Sequence, residues 1–83
     1  MEKKNVDELH NLNGKNGEIT IQHEWYGNQK AKGKFHIIND GERLGVKIKD
    51  SEIFLWQNEI TDIQVGERFA LIKGELMQIT IKA

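Results

Sequence analysis

Lysines in the middle of this chain are spaced to share one face of a β-structure, and ammonium groups gathered on one face bind anions. Lys30, Lys32 and Lys34 alternate with Ala31, Gly33 and Phe35, the period of a strand. Asp40-Gly41 reads as a two-residue type I′ turn. That turn sets Lys47 opposite Lys34 and Lys49 opposite Lys32. Like charges directly opposite one another destabilise a sheet, so the cluster points to a bound anion or an acidic partner. His36 falls on the same face. A second turn at Asp50-Ser51 adds Phe54 and Trp56 to it, with Gly45 opposite Trp56 leaving room for the indole. Lys32, Lys34, His36, Lys47, Lys49, Phe54 and Trp56 are therefore the candidate partner-binding residues. Lysines beside exposed rings also suit single-stranded nucleic acid, with ammonium groups on phosphates and rings stacked on bases. A plain solvated face is the competing reading, with Glu24 paired to Lys32, Glu52 paired to Lys49, and lysine stems lying over the rings.

Nothing in the chain has the spacing of a catalytic or metal site. His10, His23 and His36 are far apart, no HxH or HxxxH occurs, and there is no cysteine. His23 falls on an apolar side and reads as a hydrogen-bonded core histidine. The acidic residues stand singly near turns, with no nucleophile–base pair, P-loop or dinucleotide fingerprint. The expectation is a non-enzyme with no cofactor.

The elements that position these residues are strands. Residues 1–17 are polar and rich in Asn and Gly, so a flexible or weakly helical terminus is expected, with Val6, Leu9 and Leu12 spaced by three. From Glu18 onward the pattern has period two, and there is no proline. Gly27-Asn28-Gln29 reads as a three-residue hairpin loop that pairs Ile21 with Phe35 and Ile19 with Ile37. The Asp40-Gly41 turn pairs Ile37 with Leu44, and the Asp50-Ser51 turn pairs Ile48 with Ile53. Gln57 to Glu59 breaks the pattern as a bend or one 3₁₀ turn. Gly66-Glu67 and Gly74-Glu75 fit type II′ hairpins, which put Ile63, Val65, Ala70, Ile72, Met77, Ile79 and Ile81 on one face. Phe69, Leu71 and Leu76 are left on the other face. They form an oligomer or partner patch unless the Val6-Leu9-Leu12 stripe covers them.

The fold class is thus all-β: an antiparallel meander of about seven short strands over residues 18–83. In so small a chain it is expected to close as an SH3- or Sm-like barrel or a compact sandwich, with the last strand against the first. Eighty-three residues allow one domain with a thin core. The absence of cysteine, and of any apolar run at the start, points to a cytoplasmic protein. The net charge of −1 is too low for a generic nucleic-acid binder, but it is unevenly distributed. Residues 29–50 carry six cations against three anions, and the remainder six against ten.

The run Ile19-Thr20-Ile21 to Trp25-Tyr26-Gly27, then Gly33-Lys34-Phe35-His36-Ile37-Ile38, Val46-Lys47-Ile48 and Glu59-Ile60-Thr61-Asp62-Ile63 resembles a YolD-like domain and, more distantly, a WYL-type domain. The resemblance spans a little over half the chain. It implies a small Sm- or SH3-like barrel of Gram-positive bacteria and their phages, a family linked to error-prone polymerase operons. It also implies a regulatory binding module without catalysis. The usual leader of that family is not evident in residues 1–17, and Gly66 to Ala83 adds a hairpin. The functional expectation is a module acting by protein–protein contact. A phage-type inhibitor of a host protein and a single-strand nucleic-acid binder are the alternatives.

Overall fold

The computed structural model describes residues 8–83. All seven expected strands form: β1 (Asn16–His23), β2 (Gly27–Asn39), β3 (Arg43–Ile48), β4 (Ser51–Trp56), β5 (Ile60–Val65), β6 (Phe69–Gly74) and β7 (Met77–Lys82). They make one antiparallel sheet in the order β4-β3-β2-β1-β7-β6-β5. The last strand does lie against the first, with Ile19 opposite Ile81 and Ile21 opposite Ile79. The sheet is nevertheless not closed into a barrel. β4 and β5 follow one another in the chain yet form its two edges. A 3₁₀ turn, Gln57–Glu59, joins them in place of a hairpin.

β2 holds the two halves together. Its residues up to Lys34 pair with β1, and Phe35 to Asn39 pair with β3. The segment before β1 lies along the same strand. Gly14 N–H donates to the Phe35 carbonyl, Phe35 N–H donates to the Lys15 carbonyl, and Ile37 N–H donates to Asn13 Oδ1 at 2.9 Å. A 3₁₀ turn, Leu9–Leu12, precedes it and buries both leucines completely. They join the core and do not cover Phe69 and Leu76, which stay exposed. Val6, the third member of the stripe, lies outside the described residues.

The turns sit elsewhere than the sequence pattern suggests, and each shift has a local cause. The first loop does hold three residues, but they are Glu24, Trp25 and Tyr26. Gly27, at φ 79°, supplies the left-handed residue that ends such a loop. Ile19 therefore meets Ala31, and Ile21 meets Gln29. The second turn centres on Gly41-Glu42. Asp40 stands outside it and caps it, Oδ1 accepting from the N–H groups of Glu42 and Arg43 at 3.2 and 2.9 Å. The third turn is Lys49-Asp50, so Val46 meets Ile53 and Leu44 meets Leu55. The last two centre on Glu67-Arg68 and Glu75-Leu76. Gly66 and Gly74 have no positive φ and serve packing. The Phe69 ring lies against Gly66 and the Leu55 side chain against Gly74, where a Cβ would collide.

Sliding a turn by one residue moves each cross-strand partner by two, so side-chain facing survives along the strands, apart from the Glu24–Tyr26 loop and the irregularity between Ile60 and Asp62. The inner face is accordingly the expected one. Ile19, Phe35, Leu44, Val46, Ile48, Ile72, Ile79 and Ile81 are all but fully buried in a single cluster. Among the described residues no polar or charged side chain is buried, and no helix is long and apolar enough to cross a membrane.

Candidate functional site

The outer face of β2, β3 and β4 carries most of the residues singled out above, in rows set by the observed register. His36, Lys47 and Glu52 form one row; Ile38, Gly45 and Phe54 the next. Arg43 and Trp56 form a third. The expected pairs Lys34–Lys47 and Lys32–Lys49 are therefore not formed, because the Gly41-Glu42 turn places His36 opposite Lys47. The lysines remain neighbours all the same. Lys34, Lys47 and Lys49 surround a shallow depression of about 560 Å³ together with Gly33 and His36. None of the three side chains has an ion-pair or hydrogen-bond partner among the described residues. Lys49 itself occupies a turn position at φ 54°, a conformation that non-glycine residues seldom take.

The neighbouring acids neutralise other cations. Glu18, and not Glu24, lies 3.9 Å from both Lys30 and Lys32. Lys32 stands opposite Glu18 across the β1–β2 ladder and does not line the depression. Glu52 reaches Arg43 at 3.9 Å and makes no ion pair with Lys49 or Lys47. Arg43 is held more closely by Asp40, whose Oδ2 accepts from Nε at 2.8 Å and pairs with Nη2 at 2.7 Å. The Arg43 backbone N–H bonded to Asp40, followed by its guanidinium, keeps the Asp40 carboxyl below the ordinary aspartate range.

The far end of this face is aromatic. Phe54 and Trp56 meet edge to face with centroids 5.4 Å apart, and the Arg43 guanidinium lies 5.0 Å from the Phe54 centroid. Gly45 does make room for a ring-bearing residue, but that residue is Phe54 and not Trp56, since the Lys49-Asp50 turn shifts the register.

A second concave region runs along the outer edge of β4. One cavity of about 300 Å³ lies beside Ile21, Ile53 and Met77. Another of about 400 Å³ lies beside Leu55, Trp56 and Leu76. His23, Phe54 and Met77 line both. His23 is thus a half-buried groove residue, not a core one; its Nδ1 accepts from the Trp25 N–H at 3.1 Å, and its ring packs on Tyr26 with centroids 4.6 Å apart. Trp25 and Tyr26 occupy the hairpin loop and are 70% and 76% exposed. Gly27, at φ 79°, is the one local sequence signal for this loop, since tryptophan and tyrosine themselves favour strands.

Phe69, Leu71 and Leu76 are not drawn together at one place. Phe69 and Leu71 share a face of β6, whereas Leu76 lies in the turn beyond its far end, about 17 Å along at strand rise. There it belongs to the β4 groove. Among the described residues no three His, Asp or Glu side chains gather as a metal site would require.

Comparison of the chain with protein-family models, with curated proteins and with solved structures gives no match.

Proposed function

We propose that this protein is a non-catalytic binding module that engages an acidic surface of a partner protein through the outer face of β2–β3–β4. The observation that carries the reading is the convergence of Lys34, Lys47 and Lys49 on one depression with none of the three in an ion pair among the described residues. Uncompensated like charges on a small domain raise its free energy, and an anionic partner relieves that repulsion. Lys49 strengthens the argument. A lysine held at φ 54° is harder to accommodate than Gly or Asn would be, and such strain concentrates at functional positions. The resemblance to YolD-like domains, which implies a regulatory binding module of SH3- or Sm-like fold, points the same way.

The test begins with capture of the partner from the native host by the full chain. Affinity is then compared between wild type and Lys34→Glu/Lys47→Glu. Both lysines are exposed, so the fold is expected to survive and binding to be abolished. Unchanged affinity sinks the reading.

A second reading, single-strand nucleic-acid binding, is favoured by one observation: the Phe54–Trp56 pair stands on the lysine face, with Trp56 46% exposed. It requires that binding of an oligothymidine weaken steeply with salt. Binding to protein alone, with no affinity for the oligonucleotide, rejects it.

A further inference from the structure

We propose that the open edge of β4 takes up an extended peptide segment of alternating apolar and basic residues, which adds to the sheet as an eighth strand. This surface shares Phe54 and Trp56 with the outer face but none of the lysines around the depression.

The edge is built to be extended. β4 is hydrogen-bonded only to β3, and its closing pair with that strand is Ile48 and Ser51. Bonded and non-bonded pairs alternate in an antiparallel ladder, so Ser51, Ile53 and Leu55 face β3 with their backbone groups. The bond from Gln57 N–H to the Glu42 carbonyl at 2.8 Å continues that alternation one step further. Glu52, Phe54 and Trp56 therefore direct their N–H and C=O groups to the open side. Six regular residues with no proline, bulge or lysine are what sheet proteins ordinarily avoid at an exposed edge. The opposite edge shows the contrast, because the β5 register is broken between Ile60 and Asp62.

The floor and rim of the groove define the occupant. Of the two cavities flanking this edge, one is lined by Ile21, Ile53 and Met77 and the other by Leu55, Leu76 and Met77, apolar groups that suit the inward side chains of an added strand. Glu52, Glu59 and Glu75 line the same cavities, and no lysine or arginine does. Neither Glu59 nor Glu75 has an ion-pair partner among the described residues. An apolar floor under a carboxylate rim in which Glu59 and Glu75 are unpaired selects a segment that is both apolar and basic. A second copy of the chain is disfavoured, since pairing β4 with β4 would bring two such rims together.

The probe is a soluble synthetic heptapeptide of alternating valine and lysine, titrated into the intact protein and followed by amide and indole NMR signals. Saturable binding is expected, with the Glu52, Phe54 and Trp56 amides gaining exchange protection and the Trp56 indole shifting. The same peptide N-methylated at alternate residues loses backbone donors and is expected to bind about tenfold more weakly or worse. A peptide with glutamate in place of lysine is expected not to bind. Glu52→Pro, at a position whose N–H faces solvent, is expected to keep the native spectrum and lose the peptide. No binding of the valine–lysine peptide up to millimolar concentration overturns the proposal. So does equal binding of the N-methylated or glutamate peptide, or protection of these amides that instead rises with protein concentration alone.

Discussion

Gly45 lies directly opposite Phe54, and the Phe54 backbone fills the space that a Cβ on Gly45 would occupy. This close approach sets the geometry of the whole outer face. It lets β3 and β4 run side by side at a point where both carry candidate site residues. Two positions away, the Arg43 side chain leans over the Phe54 ring while staying bonded to Asp40. The basic and aromatic ends of the face are thus joined through one side-chain-free position.

Gly45→Ala should therefore be costly although the added group is a single methyl. The atoms it would meet are the Ile53 carbonyl oxygen and the Phe54 Cα, neither of which can rotate away. Overpacking of this kind costs about 1–3 kcal/mol. Urea denaturation should show a lower midpoint at unchanged slope. An unchanged midpoint would mean that β4 moves freely relative to β3.

Asp40 should make stability depend on acid. Its carboxyl titrates below the ordinary aspartate range in the folded protein, chiefly through the Arg43 backbone N–H and then the Arg43 guanidinium. A folded value below the unfolded one stabilises the fold fully above the unfolded value, and that stabilisation disappears as pH falls through the folded value. Asp40→Asn should accordingly melt at a lower temperature than wild type at neutral pH, and the difference should shrink to little in strong acid. A difference that persists undiminished in acid would show that the carboxylate charge is not what matters at this turn.

How much of this was legible in the sequence follows from the period of a strand. Alternation assigns faces, so the burial of Ile19, Phe35, Val46 and Ile72 and the exposure of Lys34, Lys47 and Lys49 could be read directly. Neighbours across strands depend on where a turn begins, and there glycine misled. Gly66 and Gly74 mark tight packing under Phe69 and Leu55, and Asp40 caps its turn from outside. The opening of the sheet between β4 and β5 could not be read at all. Closure depends on how far the sheet curls, a property that no local pattern encodes. The β4 groove was hidden for the same reason, because its walls come from β1, β4 and β7.

The turn before β1 is predicted to act as a structural plug. Leu9 and Leu12 are fully buried, and the residues just after them supply bonds to Phe35 and Ile37 of β2. Leu12→Ala should cost about 2–5 kcal/mol, as other large-to-small core changes do. Native-state hydrogen exchange should locate the damage, with the Phe35 and Ile37 amides losing protection before those of β6 and β7. Uniform loss across all strands would instead mean that the turn is no more than one more part of a single cooperative core.

Lys49→Gly separates stability from binding. At φ 54° a side chain crowds its own backbone, and glycine removes that crowding for a gain of about 1 kcal/mol, offset in part by the greater freedom of glycine in the unfolded chain. The same change removes one of three cations around the depression. The variant is thus expected to melt higher than wild type and to hold the acidic partner more weakly. Lys32→Gln supplies the control. Lys32 lies beside Glu18, off the depression, and should alter partner affinity much less than Lys47→Gln. If Lys49→Gly is stabilised but binds as wild type does, the strain at this turn serves no binding function and the basic face loses the support that Lys49 lends it. Equal losses in Lys32→Gln and Lys47→Gln would mean that overall charge, and not the depression, draws the partner in.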